Sequence, residues 1–465
     1  MNTTPKQVCI QGLGFVGAAM AVAVASACSQ EGKVLYHVTG VDQDTSQGRE
    51  RVAAIARGKF PFKTTDQSLG ESLAQCHRQG NLVATTDESV YASADVVVID
   101  IPLDIPFQDD KPQLDMAGFE EAFRVVAQKV SPGALILVET TVPPGTCERV
   151  LRPVLIEELH ARGLEDSAVH LAHSYERVMP GENYLQSITH FWRVYAGASP
   201  QAANACEVFL SSIIDIESYP LTRLSSTTAS ETAKLMENTY RAVNIAFIDE
   251  WTKYAEAVSI DLYEVIDAIR VRPTHSNIRF PGIGVGGYCL TKDPAFAPAA
   301  AQQMLDQQNL DFPFSSLALH VNQAMPLHAF GRLTTLLGDS CLDKEILLLG
   351  VSYRQDVGDT RFSPVETFAR ALLQSGAKVQ AFDPFVTEWS EMNRQLPAQL
   401  PSPKTFDAVV FTTPHQQFVE LDLLSWLGEA RPIVLDTINA VSKSQRERCR
   451  QCGIQIESIG RGDGL

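Results

Sequence analysis

Val8-Cys9-Ile10-Gln11, followed by Gly12-Leu13-Gly14-Phe15-Val16-Gly17, is the stretch that decides the fold of this chain. The first four residues read as a short apolar strand, and the small residues Ala18 to Ala27 read as a helix. Between them stands G-x-G-x-x-G, which marks a dinucleotide fold when a strand precedes it and a helix follows. Gly12 makes the turn, Gly14 lets the backbone approach a pyrophosphate, and Gly17 lets helix and strand pack closely. The helix start, at Phe15 and Val16, offers amide hydrogens to phosphate. A second strand, Val38 to Val41, ends in Asp42, where a carboxylate would take ribose hydroxyls and repel a 2′-phosphate. The expected cofactor is therefore NAD rather than NADP.

Further strands follow at βα spacing. Asp95 to Ile101 is near-continuously apolar, as a buried parallel strand should be. Ala134 to Val138 leads into Glu139-Thr140-Thr141-Val142-Pro143-Pro144-Gly145-Thr146, which puts polar residues past a strand's carboxyl end, where open α/β sheets bind ligands. Glu176 and Arg177, after His170-Leu171-Ala172-His173, stand at another strand end.

Composition narrows the partners. The chain has 465 residues, 45% hydrophobic and 20% charged, with a formal net charge of −17. That length calls for two or three domains, and that charge argues against nucleic acid and anionic membrane as partners. No apolar stretch approaches a bilayer span. The start, Met1-Asn2-Thr3-Thr4-Pro5, lacks a signal-peptide pattern. Nine scattered cysteines form no framework, so a reducing cytoplasm is expected. Cys449 and Cys452 make one C-x-x-C without a second pair, read as a helix with two incidental thiols; His170 and His173 lack further ligands at metal spacing. No metal is expected.

A second stretch bears on the chemistry: Pro281-Gly282-Ile283-Gly284-Val285-Gly286-Gly287-Tyr288-Cys289-Leu290-Thr291-Lys292-Asp293. Four glycines in six positions bring no side chains to a core. They allow a sharp turn close to something bulky, and the cysteine that follows, with Lys292 and Asp293 beyond it, suits a thiol presented to a ligand. A glycine loop before a buried cysteine is the bland alternative.

From Thr227 to about Ile269 the pattern is helical. Leu235, Ala242 and Ala246 form one stripe, with Met236, Val243 and Phe247 alongside, the spacing of a buried face. Lys234 and Asn238, four apart, project together; Lys234 is either a snorkelling surface residue or a functional ammonium. This helix is expected to link two domains and to pack against a second copy of itself. Helix with breaks continues to about Leu337. A second α/β half then begins at Glu345 to Val351, with strands Lys378 to Phe382, Ala408 to Thr412 and Ile433 to Asp436. It lacks G-x-G-x-x-G and should bind something other than NAD.

Six motifs in order give a resemblance: the glycine fingerprint at 12–17, Thr140 to Thr146, Glu176-Arg177-Val178-Met179-Pro180-Gly181, Ala233-Lys234-Leu235-Met236-Glu237-Asn238, Gly282 to Asp293, and Gly350 to Pro364. Over essentially its full length the chain resembles the UDP-glucose/GDP-mannose dehydrogenase family. The resemblance implies an α/β protein with two Rossmann-like doubly wound domains joined by a long central helix and a helical dimerisation region. Its divisions would be an NAD-binding domain at 1–210, a central domain carrying the lysine and cysteine at 211–325, and a nucleotide-sugar domain at 326–465.

It also implies the reaction, in which the C6 hydroxymethyl of a UDP-sugar is oxidised to a carboxylate with two NAD. Cys289 would carry a thiohemiacetal and then a thioester. Lys234 and Asn238 would stabilise oxyanion character at C6, Asp293 would orient Lys234 or the water, Glu176 would be the base for hydrolysis, and Thr141 would position water beside the cofactor. Arg177, Gly286, Arg354 and Arg361 are implied substrate contacts, with Arg270 or Arg272 serving across a homodimer. The Glu176–Gly181 stretch is similar to the branch acting on UDP-N-acetylhexosamines. The Lys292-Asp293 ending is shared with the UDP-glucose and GDP-mannose branches, which stay as alternatives. Tyr175, Leu103-Asp104, Arg354 and Tyr288 depart from the family pattern.

Two rivals stand beside this reading. Tyr288 and Lys292 make the Tyr-x-x-x-Lys of short-chain reductases, though after a glycine loop where helix is disfavoured. A non-catalytic protein that binds a nucleotide sugar or NAD is the other.

Overall fold

The computed structural model describes residues 4–108 and 111–462. Its core elements begin with strand β1 (Lys6–Gln11), helix α1 (Phe15–Ala25) and strands β2 (Tyr36–Val41), β3 (Leu82–Thr85) and β4 (Val96–Ile99). Strands β5 (Leu135–Val138), β6 (His170–His173), β7 (Val194–Gly197) and β8 (Thr222–Arg223) follow. They form one eight-stranded sheet in the order β8-β7-β6-β5-β4-β1-β2-β3, parallel except where β6 meets β7.

Sequence explains the packing. Val8, Ile10, Val96, Val98, Leu135 and Leu137 face one buried layer. Their alternates Val97, Ile99, Ile136 and Val138 are equally buried, because helices cover both faces of a parallel sheet. Helix α1, built of alanine and valine, is buried from Gly17 to Ala25. A Cβ on Gly17 would lie 1.9 Å from the Gly12 carbonyl oxygen, so only glycine lets the helix approach that turn.

The long helix α2 runs Thr227–Ala257. Just past its end Ser259 has φ +59°, and Asp261 then caps α3 (Leu262–Arg270) through the Tyr263 amide. The helical reading to Ile269 is thus two helices with a sharp break. Leu235, Ala242 and Ala246 are buried as expected, but Met236 is 71% and Phe247 49% exposed. Of the second row of the expected buried face, Val243 packs partly buried against the Ala242–Ala246 cluster, while Met236 and Phe247 lie at the surface, one residue and so about 100° further round the helix.

Helices α4 (Asp293–Gln303) and α5 (Pro313–Leu336) lead to the second sheet, whose strands are β9 (Glu345–Leu349), β10 (Lys378–Phe382), β11 (Ala408–Phe411), β12 (Ile433–Asp436) and β13 (Ile456–Ser458). All are parallel, in the order β10-β9-β11-β12-β13. Ile346 and Leu348 face one apolar cluster, and Leu347 and Leu349 face another. Gly350 turns the chain at φ +101°, and Asp383, past β10, accepts from the amides of Val351 and Ser352. A loop to Ser363 precedes helix α6 (Pro364–Gln374), so no helix starts at the turn to meet a pyrophosphate.

The chain divides into two compact units, Met1–Glu237 with Ala295–Asp311, and Asn238–Pro294 with Phe312–Leu465.

Candidate active site

In the first unit the carboxyl ends of the strands carry the cofactor candidates. Gly12 has φ +95°, and a Cβ there would lie 2.6 Å from the Asp100 carbonyl oxygen, so the turn demands glycine. At Gly14 a Cβ would meet nothing within 4 Å; the space above it is open. Gly14 also starts α1 without a side-chain cap, an arrangement that suits an anion at a helix N-terminus. Asp42 accepts from the Leu13 amide at 3.3 Å and lies 3.3 Å from the Arg51 guanidinium. Phe15 stacks on Phe62 at 4.0 Å, with Val16 beside it in the first turn. An uncrowded glycine, an uncapped helix start and a strand-end carboxylate fit NAD. Thr141 is half-buried just past β5. The loop around it is tied down by Glu231, which accepts from the amides of Gly145 at 2.6 Å and Cys147 at 2.8 Å. Burial raises the Glu231 carboxyl to about 7, even against those two amides.

Past β6 the chain delivers Glu176. Lys234 Nζ, on α2, donates to the Glu176 carbonyl at 2.7 Å and to its carboxylate at 3.1 Å. Lys234 is only 6% exposed; the snorkelling alternative fails because the ammonium is buried and paired. The other Glu176 oxygen accepts from the Val178 amide. Tyr175, which stands where the family pattern has proline, donates to Glu237 at 2.8 Å, and Lys234 lies 5.5 Å from its ring centre. Arg177 bonds Glu237, the Tyr175 hydroxyl and the Trp192 carbonyl. In this arrangement its donors hold the Glu176 loop to α2. Glu237 and Tyr175 thus belong to the site's framework. Glu237 sat inside a quoted motif, yet nothing in its spacing marked it.

In the second unit the glycine stretch turns at Gly284 and Gly287, with φ +154° and +84°. A Cβ on Gly286 would lie 2.5 Å from Tyr353 Cβ, and one on Gly287 2.6 Å from the Tyr353 ring. The bulky neighbour that these glycines admit includes the protein itself. Cys289 follows, exposed, and its carbonyl accepts from the Asp293 amide at 2.9 Å. Asp293 is fully buried; its two oxygens take Asn238 Nδ2 at 2.7 Å and Lys292 Nζ at 2.8 Å. Lys292 also lies 4.3 Å from the Tyr288 ring centre, over the ring.

The candidate substrate arginines differ in state. Arg361 is gripped twice by Asp359, at 2.9 and 2.8 Å, and Arg354 is half-buried. Arg270 donates to the Ser276 carbonyl and lies over Phe280; Arg272 is exposed. Arg279 was not singled out by sequence. Partial desolvation, then the like charges of Arg241 and Arg270, lower its affinity for a proton.

Three family models match the chain in order. The NAD binding domain of the UDP-glucose/GDP-mannose dehydrogenase family covers residues 6–211, its central domain 228–324, and its UDP binding domain 347–443. A UDP-N-acetyl-D-mannosamine dehydrogenase from Pyrococcus horikoshii is 30% identical, over 98% of this chain and 100% of that protein. An NDP-N-acetyl-D-galactosaminuronic acid dehydrogenase from Ralstonia nicotianae is 28% identical, over 90% of this chain and 92% of its own length. Among solved structures, the UDP-D-ManNAc dehydrogenase of Pyrococcus horikoshii superposes with TM-score 0.81 at 28% identity, covering 98% of this chain and 100% of that one.

Proposed function

Because the chain belongs to the UDP-glucose/GDP-mannose dehydrogenase family, whose members are NAD-dependent nucleotide-sugar dehydrogenases, we propose that its substrate is a UDP-N-acetylhexosamine, oxidised at C6 by way of a thioester on Cys289. Both named relatives act on 2-acetamido sugars, which supports that choice of sugar over UDP-glucose and GDP-mannose. The observation that carries the catalytic reading is the buried Lys234 ammonium on Glu176, since a lysine is kept out of water only where its charge is used or matched.

Bound NAD supplies the hydride acceptor for both oxidations. After the first, C6 is an aldehyde; the Cys289 thiolate adds to it, forming a C–S bond, and Lys234 and Asn238 stabilise the oxyanion. After the second, C6 is a thioester. Water, deprotonated by Glu176 and positioned by Thr141, attacks the carbonyl, and the thiolate leaves. The balance is one alcohol, one water and two NAD to one carboxylate, two NADH and three protons. Asp293 acts through Asn238 and Lys292, which it holds directly. Arg177 fastens the Glu176 loop, and Gly286, Arg354 and Arg361 bear on the nucleotide sugar.

A second copy of this chain is the proposed cover for the exposed row Tyr240, Phe247, Trp251 and Tyr254, in which the Trp251 ring meets Tyr254 edge-on and Phe247 at a tilt. That homodimer would bring Arg270 and Arg272 of one protomer to its partner's substrate. No helix among the described residues is long and apolar enough to cross a membrane. A cytoplasmic setting is proposed from the nine cysteines, which form no disulfide among the described residues.

NAD reduction against UDP-N-acetylmannosamine, UDP-N-acetylgalactosamine, UDP-N-acetylglucosamine, UDP-glucose and GDP-mannose tests the substrate. The reading expects the highest kcat/KM with a 2-acetamido sugar; preference for UDP-glucose would overturn it. Binding of a UDP-sugar without NAD reduction would favour the non-catalytic reading.

A further inference from the structure

One residue past the paired registers of the first sheet runs a row of side chains. Gln11 pairs with Val41 and Ile99, Ile99 with Val138, and Val138 with His173. The next positions are therefore Asp42, Gly12, Asp100, Glu139 and Ser174. Asp100 and Glu139 each stand one residue past a paired register on adjacent strands, and their buried carboxyls act on each other electrostatically. Glu139 is 1% exposed and receives the Arg193 guanidinium, itself 3% exposed, at 2.6 Å. One oxygen of each carboxyl, Asp100 Oδ2 and Glu139 Oε2, is buried with no protein donor. Two ionised carboxylates so placed would repel each other and leave both oxygens unsatisfied. One proton between them removes both costs.

The surrounding charge sets the same count. Glu176 is the third carboxyl that acts electrostatically on this pair, and two cations, Lys234 and Arg193, face the set. Burial drives His173 down to about 3, so it stays neutral, and burial drives the Cys206 thiol far up. Two positive charges match two carboxylates, not three. Glu176 holds Lys234 and Glu139 holds Arg193, which leaves Asp100 as the acid. Burial, then the charge of Glu139, pushes Asp100 well above the ordinary carboxyl range.

We propose that Asp100 and Glu139 share one proton, with Asp100 its donor, and that this pair fixes the charge beside Glu176 at the carboxyl end of the sheet. Asp100 is a positioning residue: it acts through Glu139 and keeps a third negative charge away from the base. The link to Glu176 as base rests on the function proposed above; the shared proton does not, and net charge reads it without turnover.

The test compares Asp100→Asn, Glu139→Gln and the double variant with the parent chain at pH 7, by electrophoretic mobility and by the pH profile of kcat. A shared proton leaves one negative charge in the parent and in either single variant, because the remaining carboxyl ionises against Arg193. Both single variants should keep the parent's net charge, and the double variant should gain one positive unit. In the double variant, Arg193 without a carboxylate favours negative charge nearby, so the acid limb of kcat should move to lower pH. A gain of one unit in each single variant would overturn the proposal. If the double variant does not fold, the infrared difference between the parent and Asp100→Asn decides. Loss of a protonated-acid carbonyl band supports the shared proton; loss of carboxylate bands contradicts it. Unchanged charge in both single variants, with an unmoved pH profile in the double variant, would overturn the link to Glu176 alone.

Discussion

The Lys234 ammonium sits 2.7 Å from the backbone carbonyl of Glu176 and 3.1 Å from its carboxylate, so one cation fixes both the course of the loop and the orientation of the proposed base. Breaking a buried pair by deleting one partner costs about 3–5 kcal/mol. Lys234→Met should therefore lower the thermal midpoint strongly, whereas Lys234→Met with Glu176→Gln should recover much of the loss. Additive losses in this double-mutant cycle would mean that the two do not interact. In activity, removal of such an oxyanion donor should cost a factor of about 10²–10³ in kcat.

Glu231 gives the chain a pH dependence with a definite sign. Its carboxyl is raised from 4.5 to about 7 in the folded protein, mainly by burial. A raised carboxyl favours the protonated fold, so its stabilising contribution is full below pH 4.5 and fades as pH climbs through 7. The shift corresponds to roughly 3 kcal/mol. Glu231→Gln should be less stable than the parent at pH 4.5, having one amide acceptor fewer, and should match or exceed it at pH 8. Unfolding curves at the two pH values that differ by a constant amount would refute this.

Gly14 and Gly17 should behave oppositely. Alanine at Gly17 would meet the Gly12 carbonyl oxygen at 1.9 Å and should unseat α1, lowering stability and NAD binding together. Alanine at Gly14 has open space, so stability should hold while NAD affinity falls, the new methyl standing where the pyrophosphate would come. Calorimetric unfolding beside NAD titration separates the two; a stability loss at Gly14 as large as at Gly17 would contradict this account.

Much of this was legible in the sequence because the governing rules are local. A strand, a glycine turn and a small-residue helix fix the first sheet, and Asp42 falls at a strand end where an acid was expected. Rows on a helix are less legible, since periodicity marks a stripe without saying what covers it. Met236 and Phe247 keep the spacing of a buried face but lie exposed in the single chain. The glycines at 284 to 287 announced a close approach, and only the fold supplied Tyr353 as a neighbour. Tyr175 read as a bare departure from proline; its partner Glu237 lies far along the chain. Asp100 ends an apolar strand as Asp42 does, a signal that passed unused because its meaning depends on Glu139 and Arg193 beside it.

The exposed aromatic row predicts assembly. Trp251→Glu should give a monomer in sedimentation velocity where the parent sediments as a dimer. A monomeric parent chain, or an unchanged dimer, would remove the proposed role of that face.

The central claim is that one sulfur atom, Cys289 Sγ, holds the half-oxidised sugar until water releases it, and NADH counted against sugar consumed tests it most directly. The account predicts two NADH for each sugar, with a Cys289→Ser protein that stalls before the carboxylate forms. One NADH per sugar, or a serine variant that completes both oxidations, would contradict it.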